Sequence, residues 1–290
     1  MPSLESLGRR FRMRQLVSTE RLGVTYLVHD LELELDVALK VLRPDFFPTA
    51  VERNRLAGAC ALAQRLCTPN LARVLHAETE GWFPFFTTRV VHALSLARVI
   101  EERAAHGRAF ALREVIDFVA QIADALAVIH VELPAHGLLR PSNVLVLPGH
   151  IKLADFHIGA AMPPQELAAL RGEPQESLWI APDVSLGIPL SRASDVYSLA
   201  RLALTMLRAV PPPASEAQRL PRALETLLTR SMAEDPGARP ETPARFVEQL
   251  RGWWHTQGGF GDSRFPTAPI LPIARNDARA ADPTSKEKKS

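Results

Sequence analysis

The hydrophobic period of the chain changes near residue 95, and no other feature constrains the fold as much. Over the first ninety residues the apolar side chains fall in short β-prone runs. "VTYLVHD" (24–30) and "DVALKVL" (36–42) are separated by a short polar connection, the pattern of a hairpin. "LARVLHA" (71–77) and "PFFTTRVV" (84–91) read as two more strands. Between them "AVERNRLAGACALAQRL" (50–66) is rich in Ala, Leu, Arg and Gln, with apolar residues three and four apart, and reads as a helix. Beyond 95 the helical period takes over. "LREVIDFVAQIADALAVIH" (112–130) sets Val115, Phe118, Ile122, Leu126 and Ile129 on one stripe that must be buried against another helix. Further helices are expected around 192–209, 217–232 and 243–254, with a strand-and-loop region between. The fold class that follows is α+β and bilobal: a small β-rich lobe with one helix, then a larger helical lobe.

Composition narrows the functions. At 290 residues the chain can form one large domain or two lobes, each with its own core. A formal net charge of +2, with the basic residues scattered, argues against nucleic acid as a partner. The most apolar late segment, "VYSLARLALTMLRAV", is interrupted by Arg201 and Arg208 and is shorter than the roughly 20 residues of a bilayer span, so no membrane insertion is expected. The start of the chain has no apolar run of the kind an export signal needs, and Arg9-Arg10 does not make one, so a cytoplasmic protein is expected. Cys60 and Cys67 have no zinc-site spacing and are expected to be two buried thiols in a reducing compartment. After Trp254 the composition shifts to Gly, Pro, Asp and Ser, and 256–290 is expected to be a disordered, solvated tail. Within it "FPTAPILPIAR" (265–275) is apolar enough to be a docking segment.

Six short motifs then occur in a telling order: "VALK" (37–40) in a strand, "HGLLRPSN" (136–143) and "ADF" (154–156) beyond the long helix, then "IAPDV" (180–184), "SDVYSLA" (194–200) and "EDPGARP" (234–240). This order resembles the protein-kinase family, particularly bacterial serine/threonine kinases, over roughly residues 8–255, with an N-lobe about 8–90 and a C-lobe about 91–255. The resemblance implies that Lys40 reaches the α- and β-phosphates of ATP and that Ala38 faces the adenine, with Gly23 and Leu145 also at the cofactor site. Asn143 and Asp155 match the two residues that hold Mg²⁺, an ion suited to hard oxygen ligands. Thr88 and Arg89 match the gatekeeper and hinge. Asp183 stands in for the glutamate of the Ala-Pro-Glu motif and would pair with Arg239, while Asp195 would anchor the backbone of the catalytic loop. His136 would pack against Phe156, and Trp82, Trp179, Trp253 and Trp254 are expected as core or lobe-edge aromatics.

The departures from the family pattern fall on chemistry. Leu138 occupies the place of the catalytic aspartate, and a leucine has no lone pair to accept a proton or orient a hydroxyl. Losing a positioned general base costs about 10²- to 10⁴-fold. Ser18, Glu20 and Gly23 fall at the three glycine positions of the phosphate loop, with Thr25 at the following valine. Glu20 beside a polyanion costs up to about 4 kcal/mol at about 4 Å and an effective dielectric near 20, unless it swings into solvent. Ala59 falls at the helix glutamate that normally pairs with the lysine, and Glu52 is the nearest alternative acid; Asp155 could also supply Lys40 with a partner. Gly137 replaces the arginine that reads activation-loop phosphate, and "MPPQELAALRGEPQES" (162–177) has a single hydroxyl, Ser177. Glu176 stands where a threonine usually contacts the catalytic aspartate, and His157 replaces the glycine after Asp155-Phe156, which restricts the flip kinases use to switch.

The expected function is therefore a pseudokinase, a regulatory or scaffolding module for a protein partner, with ATP and Mg²⁺ binding left open by Lys40, Asn143 and Asp155. The alternative is a slow serine/threonine kinase working through Lys40, magnesium and Arg140, with Glu176 as a substitute base. A third reading, a small-molecule phosphotransferase of the aminoglycoside-kinase type, shares only the His-Gly of "HGLLRPSN".

Overall fold

The computed structural model describes residues 8–210 and 220–257. The N-terminal half forms a five-stranded antiparallel sheet of β1 (Phe11–Glu20), β2 (Gly23–Asp30), β3 (Leu35–Leu42), β4 (Val74–Glu78) and β5 (Phe85–Arg89), in the order β1-β2-β3-β5-β4. Alternation along β3 sorts its side chains by face. Val37 and Leu39 pack with Phe11, Val28 and Phe85. On the opposite face Leu42 joins Phe86 and the helix α1 (Ala50–Arg65), where Leu56, Ala59 and Cys60 are buried. The register sets Lys40 between Thr25 on β2 and Phe86 on β5, so the lysine leaves the sheet beside this second cluster.

The C-terminal half is built on α3 (Leu112–Glu132), whose apolar stripe is buried as its spacing requires. Val115, Phe118, Ile122, Leu126 and Ile129 lie in one core with Val196, Leu199 and Met206 of α6 (Arg192–Leu207), Leu224 and Leu228 of α7 (Arg222–Ser231) and Phe246 and Leu250 of α8 (Pro243–Thr256). Above α3 sit α2 (Leu96–Ala105) and a three-stranded sheet, β6 (Leu94–Ser95), β7 (Val144–Leu147) and β8 (His150–Leu153). Two short helices, α4 (Phe156–Ala161) and α5 (Pro164–Arg171), follow β8. Backbone hydrogen bonds from Ala72 N to Leu153 O and from Leu153 N to Asn70 O, each 2.8 Å, join the strand carrying the Asp155 segment to the N-terminal half.

Several local expectations are corrected. β1 and α2 were not foreseen, and the region after β8 is helical rather than strand and loop. The strand expected at 71–77 begins at Val74, with Leu71 making only an isolated bridge to Leu153. Cys60 is buried, and burial pushes its thiol up to about 12, but Cys67 lies beyond the end of α1 and is exposed. Trp179, Trp253 and Trp254 pack against the lower core, whereas Trp82 is exposed. The helix expected at 217–232 is Arg222–Ser231, and 217–219 lie outside the described residues, as does the expected tail from 258 with its 265–275 segment. No helix among the described residues is long and apolar enough to cross a membrane.

Candidate active site

Five charged side chains meet between the two halves in strict alternation of sign. Lys40 of β3 pairs with the Asp155 carboxylate on one side and donates to Glu20 Oε2 at 3.1 Å on the other. The same Glu20 oxygen accepts from Arg140 Nη2 at 2.7 Å, and Arg140 Nη1 pairs with Glu176. The sequence Asp155, Lys40, Glu20, Arg140, Glu176 thus links the tip of the first hairpin, β3, the segment before β7, the start of α4 and the stretch after α5. Lys40, Arg140 and Glu176 are all buried. Burial alone pushes the Lys40 ammonium toward neutrality, but Asp155 and Glu20 outweigh it and hold its pKa above the usual range. For Asp155 burial again opposes charge, and Lys40 overcomes it, leaving the carboxyl below its usual range. Arg140 is raised likewise, Glu176 and Glu20 outweighing its burial. All five side chains are therefore paired, as charges removed from water must be.

Glu20 reaches this position because the β1–β2 turn is short. β1 runs through Glu20 and pairs it with Gly23, leaving only Arg21 and Leu22 in the turn. Leu22 is buried with Leu42, Phe46 and Phe47, and its carbonyl accepts from Arg43 N at 3.0 Å. A Cβ on Gly23 would collide with the Val41 carbonyl, so close cross-strand approach accounts for this glycine. Glu20 does not swing into solvent; its carboxylate turns inward onto two cations.

The helix beside Lys40 supplies no acid. Ala59 is buried in the apolar cluster, and Glu52 is committed elsewhere. Its carboxylate accepts from Thr49 N at 2.9 Å while Thr49 Oγ1 accepts from Glu52 N at 3.3 Å, a capping box that starts α1.

Leu138 is 1% exposed, in the cluster that contains Ile158, Ala161 and Met162. Gly159 of α4 makes this packing feasible, since a Cβ there would collide with His136 O and press on Leu138 Cγ. The loop around Leu138 is rigidly held: Asp195 accepts from His136 N at 2.7 Å, from Gly137 N at 3.0 Å and from His130 Nε2 at 2.8 Å. The Asn143 amide donates to Leu138 O at 2.9 Å. Asp155 and Asn143 share the loop region, with Ala154 N bonded to Asn143 O, but the Asp155 carboxylate is spent on Lys40. Among the described residues no group of three or more His, Cys, Asp or Glu is arranged to hold a metal ion. Ala38 lies opposite Thr88 and is partly buried, as is Leu145 on β7.

His157 is fully buried in α4, edge-on to Phe86 at 4.4 Å and to Phe156 at 5.6 Å between ring centroids. Neither ring nitrogen has a hydrogen-bond partner, and burial pushes its pKa down to about 4. Further along, Asp183 and Arg239 form a wholly buried ion pair at 2.7 Å. The sequence had offered Asp155 as a partner for Lys40, and the structure forms that pair, but nothing in it joined Glu20 to Arg140, 120 positions apart.

Two cations converging on one carboxylate oxygen form a seat that a phosphate oxygen also fits, so the donor set is compatible with a nucleotide once Glu20 is displaced.

Comparison with known proteins gives the lineage. The protein kinase domain family matches residues 18–249, and the chain belongs to that family. The serine/threonine-protein kinase PknA of Mycobacterium tuberculosis is 32% identical over 205 residues, 67% of this chain and 46% of PknA. The serine/threonine-protein kinase PrkC of Bacillus subtilis is 23% identical over 254 residues, 80% of this chain and 39% of PrkC. The chain spans about half the length of PknA and less of PrkC. The crystal structure of the M. tuberculosis PknI kinase domain superposes with a TM-score of 0.68 at 24% identity, over 86% of this chain and 96% of that one, a likeness of fold. The bilobal α+β kinase architecture and the bacterial serine/threonine kinase lineage follow.

Proposed function

We propose that this chain is a kinase-fold regulatory or scaffolding module for a protein partner, impaired in phosphoryl transfer and retaining a nucleotide site. The observation that carries this reading is Leu138: the position of the catalytic carboxylate holds an apolar side chain sealed beneath α4. Restoring a base there would require both a new side chain and a rearranged α4. In this reading Lys40 and Arg140 bind phosphate oxygens, Ala38 and Leu145 border the base, and Asn143 and Asp155 hold Mg²⁺ once Asp155 leaves Lys40. Bound MgATP supplies a transferable phosphoryl group, but the chain offers no base at Leu138 to orient an acceptor hydroxyl.

A thermal-shift titration with ATP and Mg²⁺ tests the nucleotide part, comparing wild type with Lys40→Ala and Asp155→Ala, each against its own ligand-free melt. Ligand at one hundred times Kd adds about 2.7 kcal/mol, which a melting curve resolves. A shift present in wild type and absent in both variants supports a nucleotide site; no shift at millimolar MgATP counts against a nucleotide site open in the wild-type chain.

One observation favours the alternative of a slow serine/threonine kinase. Glu176 Oε2 is buried without a hydrogen-bond partner beside Arg140, so one carboxylate oxygen of the charged chain is unspent. Transfer activity that is lost in Glu176→Gln and in Lys40→Ala would establish this reading over the first.

A further inference from the structure

Glu20 is the only member of the charged chain that touches both cations of the cleft, and it does so through a single oxygen. Lys40 Nζ lies 3.1 Å and Arg140 Nη2 2.7 Å from Glu20 Oε2. A carboxylate oxygen held by an ammonium and a guanidinium reproduces the contacts that an anionic phosphate oxygen would make. Lys40 also pairs with Asp155 and Arg140 with Glu176, while Arg140 Nε is buried without a hydrogen-bond partner. The carboxylate is also delivered by a fastened hairpin. Leu22 is buried in the cluster beneath it, Arg21 lies over the Phe46 ring at 5.4 Å, and Arg21 approaches Glu173 at 3.8 Å.

We propose that Glu20 is a built-in competitor of nucleotide phosphate, a latch that closes the phosphate end of the cleft until the β1–β2 turn lifts. The inference rests on the nucleotide reading above and adds to it the group that opposes binding. The physical reason is direct: a polyphosphate entering the seat must break two charge-assisted hydrogen bonds and meet a like charge at the same place. Removing the charge while keeping the side chain's size should therefore tighten binding of anything carrying phosphate. Ligands without phosphate should not respond.

The test is calorimetric titration of MgATP, inorganic tripolyphosphate and adenosine into wild type, Glu20→Gln, Glu20→Gly and the double variant Glu20→Gln with Lys40→Ala, after melting curves establish that each is folded. Both single variants are expected to bind MgATP and tripolyphosphate about tenfold tighter or more, leaving adenosine unchanged. The gain should vanish when Lys40 is also removed. Two variants of different size guard against an effect of the new amide itself. The latch is overturned if wild type binds MgATP and the Glu20 variants bind it equally or more weakly, or if adenosine gains as much as MgATP, which would mean general opening of the cleft. In those cases nucleotide binding stands and only the latch falls. Absence of binding to every variant overturns both.

Discussion

The Lys40 ammonium is paired at 3.1 Å with Glu20, at the tip of the neighbouring hairpin, instead of with an acid on the adjoining helix α1. Two features of α1 produce this. Ala59 is packed in an apolar cluster, and the helix's one acid, Glu52, is used to cap it. A buried lysine still requires counter-charges, and Asp155 and Glu20 provide them. Substituting Lys40→Ala is expected to leave Asp155 and Glu20 facing one another with only Arg140 to compensate. Breaking a buried pair in this way costs about 3–5 kcal/mol, and the partly exposed Glu20 places this case at the lower end. Urea denaturation of the two proteins checks it.

Leu138 is expected to behave as a core residue. Leu138→Ala should lower stability by about 2–5 kcal/mol, the range for deleting a buried leucine side chain. Leu138→Asp should destabilise further, because α4 would bury an unpaired carboxylate. Denaturant midpoints for both variants decide between this and an exposed, catalytically placed side chain, for which neither change would matter.

The wholly buried Asp183–Arg239 pair fixes the segment after α5 to the connection between α7 and α8 and to the start of α6, with Arg239 also donating to Ala233 O, Glu234 O and Ala193 O. Arg239→Ala should cost about 3–5 kcal/mol. Arg245→Ala, at an exposed pair with Glu248, should leave the melting temperature unchanged. Differential scanning calorimetry of both variants tests the contrast.

The capping box assigns Glu52 a structural role. Thr49→Ala and Glu52→Ala are each expected to lower stability by about 1 kcal/mol while leaving nucleotide affinity as it was. A loss of affinity in Glu52→Ala would place that carboxylate at Lys40 instead.

Stability should fall on mild acidification. His157 has a folded pKa of about 4, below the 6.5 of the unfolded chain, so the unfolded state binds the extra proton between those values. The stability this group contributes is fully present above pH 6.5 and is lost as pH falls toward 4, at about 1.4 kcal/mol per unit. His136, also lowered by burial, acts in the same direction. Chemical denaturation from pH 7 to pH 4.5 should show this slope, and His157→Phe should reduce it.

Much of the architecture was readable from period alone. The stripe on α3, the β2–β3 hairpin and the helix at Ala50–Arg65 follow from spacing that only one secondary structure can bury. β1 escaped because it is an edge strand with most of its side chains exposed, so its sequence "FRMRQLVSTE" carries no clean alternation. The helix α5 escaped because 162–177 reads as an activation loop on the family resemblance, whereas Pro164 occupies the first turn of α5, where a proline is tolerated. At the site, the Lys40–Asp155 pair was foreseen and the other charged residues were visible singly. The link from Glu20 to both cations was not, since the Glu20–Arg140 pair joins segments 120 positions apart, and only the folded hairpin tip brings Glu20 inward.

The most direct measurement is phosphoryl transfer from radiolabelled ATP, with Mg²⁺, to the chain itself and to a generic protein acceptor, comparing wild type with Lys40→Ala. With Leu138 sealed beneath α4, wild type is expected to incorporate label no faster than the variant. Label transferred by wild type and lost in Lys40→Ala would contradict impaired catalysis and leave the chain an active serine/threonine kinase.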